Sequence, residues 1–327
     1  FFVPPVWVES CAAAGGVKEG RGPLGPLFDY TAKENRFGCK TWEQGERKMV
    51  ETACAHALNK AELSPADLSF ALGGDLLNQC ISTSFAMRAL GVPYLGLYGA
   101  CSTMAESLLL ASVAVSAGIA DRVAAMTSSH FASSERQYRF PLGYGGQRTP
   151  TAQWTVTGSG AALVCRSGCG PRITAATIGS VTDLGIQDAN NMGAAMAPAA
   201  LATIRQHLED LGREPEYYDR IVTGDLGQYG KELLLELARR EGLSIGGRLE
   251  DCGCMVFDNT RQDVHAGGSG CGCSAITLCG HYLGQLQKKK LRRILFCGTG
   301  ALLSPTSTQQ GLPIPGICHA VAIEEEA

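Results

Sequence analysis

Two stretches of this 327-residue chain carry the same succession of elements, and that repetition constrains its fold more than any single residue does. The amphipathic segment Glu46–Lys60 leads through a Ser64-Pro65 turn into the apolar run Asp67 to Leu76. In the second half, Pro198–Leu211 leads through a turn at Pro215 into Asp219 to Leu226. Both read as helix, turn, strand, then Gly-Asp-Leu, and Asp75 and Asp225 stand 150 residues apart. A second unit repeats in the same order: Ala100-Cys101-Ser102 and Gly272-Cys273-Ser274 each precede an apolar helix and a strand, with 26 residues from Cys101 to Thr127 and 25 from Cys273 to Gly298. Repeats in a shared order indicate an internal duplication, and the length suits two units at about 150 residues each. Residues 1–168 and 169–327 are the two expected halves, divided where Gly168, Gly170 and Pro171 interrupt strand-like runs. Short apolar strands alternating with helices imply an α/β fold of two βαβ-rich halves, their sheets stacked around buried central helices.

With 45% hydrophobic and 18% charged residues, the composition is that of a packed core and excludes a disordered chain. The net charge of −3 gives no general attraction to nucleic acid. None of the 14 cysteines forms a C-x-x-C pair, and Cys252/Cys254 and Cys271/Cys273 are spaced too closely for ordinary bridges or zinc knuckles. Free, mostly buried thiols and no intrinsic metal are expected. Phe1 to Val8 lacks a basic leader region, so no signal peptide is expected, and the longest uncharged stretch, Ser107–Ala120, is too short to span a bilayer. The run Lys288 to Arg293 reads as a solvated helix end, with acidic lipid or a membrane partner as the other reading. The glycine-rich runs match neither a P-loop nor a dinucleotide turn.

Chemistry is suggested first at Cys101. Leu95 to Tyr98 reads as a short buried strand and Ser107–Ala120 as an apolar helix, so Cys101 falls at a helix start, where unpaired N–H groups stabilise thiolates and other anions. His130 ends the strand Arg122–Ser129 and either reaches the same cavity or serves as a structural histidine. The segment Glu135 to Arg148 reads as a long loop. There Arg136, Arg139 or Arg148 would clamp a carboxylate, or the loop is solvated or packs a second copy.

This arrangement resembles the thiolase fold, and in particular condensing enzymes of the ketoacyl synthase III type, with αβαβα layers. In that family the nucleophilic cysteine opens the central helix of the first half, as Cys101 would. The second half supplies a histidine at a strand end and a histidine or asparagine on a glycine loop. Those positions fall at Asp225 and within His265 to Ser274, where this chain offers Ser269, Cys271 and Ser274. Eight segments in order carry a narrower resemblance: Gly22 to Asp29, Gly74 to Gln79, Tyr98-Gly-Ala-Cys-Ser-Thr103, Thr127-Ser-Ser-His130, Tyr144-Gly-Gly-Gln147, Thr155-Val-Thr-Gly-Ser-Gly160, Met196-Ala-Pro-Ala-Ala200 and Gly298 to Pro305. They are similar to the stage V sporulation protein AD family.

That resemblance implies a protein of endospore-forming bacteria that works with membrane proteins moving pyridine-2,6-dicarboxylic acid (dipicolinic acid) and its calcium chelate. It would be soluble, held peripherally at the spore inner membrane, and a binder of that ligand, with a homodimer as a further expectation. A condensing enzyme needs a thiolate, an oxyanion hole and a donor to the enolate. Backbone N–H groups at Cys101 and in a Gly298–Gly300 loop, with Gly300 at the ligand, would bind an anion, but an ionised Asp225 opposes a thiolate and donates nothing. Dipicolinate in turn requires either calcium against Asp225 or a protonated Asp225. A ligand-binding protein without catalysis is the leading expectation. The alternative is an acyltransferase or condensing enzyme acylated at Cys101, and a structural subunit with a vestigial pocket is a third.

Overall fold

The computed structural model describes residues 1–138 and 148–325. Arg139 and the Tyr144 to Gln147 segment therefore lie outside the described residues. Ten strands longer than two residues are found among those described, and they divide into two sets with one topology. The first set is β1 (Val6–Gly15), β2 (Phe70–Gly74), β3 (Tyr94–Gly96), β4 (Arg122–Ser129) and β5 (Gly158–Cys165). The second is β6 (Arg172–Thr177), β7 (Arg220–Thr223), β8 (Leu249–Asp251), β9 (Arg293–Ala301) and β10 (Gly316–Glu324).

In the first set β5 is antiparallel to β1 and β4, while β2 is parallel to β4 and β3. In the second, β10 is antiparallel to β6 and β9, while β7 is parallel to β9 and β8. The orders β1-β5-β4-β2-β3 and β6-β10-β9-β7-β8 are the same order twice, which is the duplication read from the repeats. The sets meet through the antiparallel pairs Val6–Ile173 and Trp7–Arg172.

Helices cover both faces of each set. The outer helices of the first half are α1 (Trp42–Lys60) and α2 (Ile81–Leu90). Thr41 and Gln44 close a reciprocal capping box that fixes the start of α1. Its Met49, Val50, Ala53 and Ala57 recur at helical spacing and pack on Ala12, Ala14, Ala161 and Leu163 of β1 and β5. The central helix α3 (Thr103–Ser116) packs against strands of both halves. With Met104, Ala105, Leu108, Ala111 and Val115 fully enclosed, it leaves only the stripe of Glu106, Leu110, Val113 and Ser116 reaching solvent. After β4 comes α4 (Phe131–Tyr138), and the second half repeats the outer pair as α5 (Met192–Leu211) and α6 (Gly227–Arg240). The second central helix, α7 (Cys271–Thr277), lies against β4, β5 and α3.

Four local expectations are corrected. The strand at residues 95–98 is not buried: β3 is a sheet edge, Leu95 is 59% exposed and Tyr98 is 52% exposed. The uncharged helix starts at Thr103 rather than Ser107 and ends at Ser116, before Gly118 turns the chain in the left-handed region at φ +75°. The helix α5 begins six residues before Pro198, capped by Asn191, which accepts from the Ala194 N–H. Burial of Ala195, Met196, Ala199 and Ala200 there outweighs the cost of about 3 kcal/mol that an interior proline imposes on an isolated helix. Finally, Gly298 to Gly300 is strand rather than loop, because the β9–β10 ladder runs unbroken to Ala301–Gly316.

Candidate ligand-binding site

A small cavity of about 50 Å³ opens where the two halves meet in front of α3. Cys101 lies at its floor in a single 3-10 turn, Ala100–Ser102, that runs into α3. Ala100 holds the left-handed region at φ +51°, a conformation costing a non-glycine residue roughly 1–2 kcal/mol. The turn is fixed by side chains bonding back to it: Ser102 Oγ donates to the Gly99 carbonyl and Thr103 Oγ1 to that of Ala100, each at 2.7 Å. On its other side stands β9. A Cβ at Gly300 would come within 3.0 Å of the Ser102 nitrogen and the Gly99 carbonyl, so only glycine permits this approach.

Behind Cys101 sits Asp225, fully buried beyond the end of β7. Its Oδ1 accepts from Thr299 Oγ1 at 2.9 Å, and its Oδ2 accepts from the Gly270 N–H at 2.8 Å and Ser269 Oγ at 3.3 Å. The Cys101 thiol is its neighbour, and the two groups influence each other's protonation. Burial raises the Asp225 carboxyl to about 6 despite these donors. Burial, and then the Asp225 charge beside it, pushes the Cys101 thiol well above its ordinary range. The helix-start effect expected to favour a thiolate is therefore overridden by desolvation and a like charge.

Ser269 reaches the cavity through an unusual junction of the halves. The two-residue strands Trp154–Thr155 and Gly268–Ser269 pair in parallel, placing Thr155 beside Ser269, and both line the cavity. Cys271 packs with Cys101, Leu76 and Tyr138, while its thiol donates to the Ser128 carbonyl at 2.9 Å. Ser274 is turned away: its hydroxyl donates to the Cys271 carbonyl within α7, so it is no part of the wall.

Three further expectations do not match the geometry. His130 does not reach the cavity, because its ring spans the β4–α4 turn. There Nδ1 accepts from the Ala132 N–H at 3.1 Å and Nε2 lies 2.7 Å from the Asn35 carbonyl. Arg136 points outward to an ion pair with Glu43, and Arg148 bonds Asp263 and lies over the Trp154 ring. Neither lines the cavity, and the third clamp candidate, Arg139, is outside the described residues. Asp225 lies beneath the wall with both oxygens engaged, so it is not placed to meet a ligand-borne calcium directly. The carboxylate on the wall is Glu135, which accepts from Thr155 Oγ1 at 3.0 Å.

Comparison with known proteins decides the family. The family model described as stage V sporulation protein AD matches residues 1–324. The chain belongs to that family. It is 46% identical over 323 residues to the stage V sporulation protein AD of Bacillus subtilis strain 168, covering 99% of this chain and 95% of that one. Solved structures show the fold. The 3-oxoacyl-[acyl-carrier-protein] synthase III of Aquifex aeolicus VF5 superposes with a TM-score of 0.59 at 15% identity, over 98% of this chain and 99% of that one. Cerulenin-bound OleA of Xanthomonas campestris gives 0.64 at 15% identity, over 98% and 96%. The fold is thus that of the thiolase-like condensing enzymes. No helix among the described residues is long and apolar enough to cross a membrane.

The wall residues that sequence reasoning passed over come largely from α4. The expected loop began at Glu135, inside this helix, and so hid a helical spacing: Tyr138 stands three residues from Glu135 and four from Ser134, and all three share the face lining the cavity. Met192, Ala301 and Leu303 complete its apolar side; Ala301 and Leu303 fall within the Gly298 to Pro305 segment, whereas Met192 stands in no motif.

Proposed function

We propose that this chain is a non-catalytic, thiolase-fold binder of dipicolinic acid or its calcium chelate. In this reading the ligand occupies the Cys101 cavity, and the chain is the peripheral component of the spore's transport machinery for it. The observation that carries the reading is Asp225. Where acyl chemistry needs an imidazole donor, the protein holds a carboxylate that accepts every hydrogen bond around it and keeps the neighbouring thiol protonated. The lining has the chemistry for a small planar diacid, which the cavity would widen to admit: Leu76, Tyr138, Met192 and Leu303 offer apolar contacts for ring faces, and Ser134, Thr155 and Ser269 offer hydroxyls.

Dipicolinate carries two negative charges and would meet Glu135 at the wall and Asp225 beneath it. Calcium brought within the chelate favours oxygen donors of this kind and lessens the repulsion. Family membership supports the place in sporulation, and the exposed edge strand β3, with Leu95 and Tyr98, supports pairing of two copies.

Calorimetric titration of the protein with dipicolinate, with and without calcium, tests the reading. Saturable binding, tighter with calcium and competing with a bulky reagent at Cys101, is expected. Absence of binding in both arms would overturn it. Incubation with acetyl- or malonyl-coenzyme A followed by intact mass measurement tests the enzymatic alternative. No adduct is expected, and a stoichiometric acyl adduct lost in Cys101→Ala would establish that alternative instead.

A further inference from the structure

Far from the cavity, β1 and the second central helix bring two thiols together. The β1–β5 register slips between Val8 and Ser10, and a bulge of this kind re-aims the side chains that follow it. Cys11, next along β1, is partly exposed, and its Sγ lies 3.4 Å from the Cys279 carbonyl. The Cys279 thiol in turn donates to the Ala161 carbonyl at 3.6 Å, and each cysteine perturbs the other's thiol. Cys279 is buried in a π-helical stretch, Leu278–Tyr282, that widens the helix as it leaves α7. Gly280 follows. A Cβ there would sit 3.0 Å from the Phe28 ring and 3.4 Å from Ala13, so its absence lets the helix lie close to β1.

A cation completes the group. Lys60, at the end of α1, donates from Nζ to the Cys11 carbonyl at 2.9 Å and pairs with Asp29 at 2.6 Å. The neighbouring Cys279, and then the Lys60 charge, hold the Cys11 thiol below its usual range against burial and the Asp29 charge. Cys279, receiving the opposite influence from Cys11, is held well above it. One cysteine is thus partly exposed, with its thiol activated, while its neighbour is sheltered and protonated, an asymmetry that suits an attacking and a resolving cysteine.

We propose that Cys11 and Cys279 form a reversible oxidation site whose substrate is a hydroperoxide. The Cys11 thiolate attacks the distal peroxide oxygen, the O–O bond breaks, and the other oxygen leaves as an alcohol or water after taking up a proton. Cys11 becomes a sulfenic acid. The Cys279 sulfur then attacks the Cys11 sulfur, the S–O bond breaks, and the hydroxyl leaves with the Cys279 proton as water. The pair loses two electrons to the peroxide, and a small thiol returns them by disulfide exchange. The product staples β1 of the first half to the central helix of the second.

The test treats the full chain with hydrogen peroxide, alkylates the remaining thiols, and maps peptides by mass. A Cys11–Cys279 linked peptide, about 2 Da lighter than the sum of its reduced parts and lost on adding dithiothreitol, is expected. In Cys11→Ser, Cys279 stays reduced. In Cys279→Ala, Cys11 accumulates as a sulfenic acid trapped by dimedone. Oxidation of Cys279 in Cys11→Ser at the wild-type rate would overturn the proposal, as would Cys11 pairing elsewhere or the exposed Cys169 reacting while Cys11 does not. Circular dichroism of both variants establishes that they fold, and the wild-type and Cys11→Ser arms decide the matter where Cys279→Ala does not.

Discussion

The two halves carry the same tripeptide at the same place, Gly74-Asp75-Leu76 and Gly224-Asp225-Leu226, yet its aspartate does different work in each. Asp75 turns back on its own half: Oδ1 accepts from the Leu77 N–H, while Oδ2 accepts from the N–H and hydroxyl of Thr83 at the start of α2. In the second half that capping task passes to Asp251, which accepts from the N–H groups of Leu226 and Gly227. Asp225 is thereby released to face Thr299, Ser269 and Gly270. The cysteines diverge in the same way. Cys101 floors a cavity, whereas Cys273 is fully enclosed with Cys252 and Gly268 near it. The added segment 252–270 of the second half accounts for both differences, since it delivers Ser269 and Gly270 to one site and seals the other.

The comparison can be strained most by pH. Asp225 holds its proton up to about 6 in the folded protein, against an ordinary value of 3.8. The native state binds the proton more tightly than the unfolded chain between these values. Stability from this group is therefore full below pH 3.8 and lost as pH rises through 6, a change of about 3 kcal/mol by linkage. Asp225→Asn removes that slope. Chemical denaturation of both proteins from pH 4 to 7 should show their difference growing with pH, and parallel curves would refute the assignment.

A second contrast lies between the two asparagine variants. Both oxygens of Asp75 face backbone N–H donors, so Asp75→Asn sets an amide N–H against one of them and costs about 2 kcal/mol. At Asp225, Oδ1 meets only the rotatable Thr299 hydroxyl, so Asp225→Asn meets no such penalty and at pH 7 is more stable than the wild-type protein, since it lacks the aspartate's loss. Equal losses in urea denaturation would show that the two aspartates play one role. Smaller still, Cys273→Ala should cost about 1 kcal/mol through the space it leaves, with dipicolinate affinity unchanged in calorimetry. Arg136→Ala should change stability by less than about 0.5 kcal/mol, as expected for an exposed ion pair, and leave affinity within twofold.

The duplication was legible because it is written in local order: a capped helix, a turn, an apolar strand and a fixed tripeptide recur at matching intervals. Cys101 and Asp225 were legible for the same reason, since both stand at element ends. What was hidden depends on contacts between distant segments. Ser269 meets Thr155 only through a two-residue parallel pair. The helical spacing of Glu135 and Tyr138 was obscured by the polar composition around it. Direction was hidden as well: His130, Arg136 and Arg148 are near the site in sequence, but Asn35, Glu43 and Asp263 draw them elsewhere.

The small parallel pair has a consequence for how the protein comes into being. Thr155 belongs to the half synthesised first, and Ser269 emerges more than a hundred residues later. Were the first half to collapse first during translation, as domains generally do, Cys101 would stand at an open face. The wall is finished only when the later half docks and lays Gly268–Ser269 alongside Trp154–Thr155. A ligand held by this wall would therefore bind only the complete, docked chain, and a truncated chain would have no finished wall to offer.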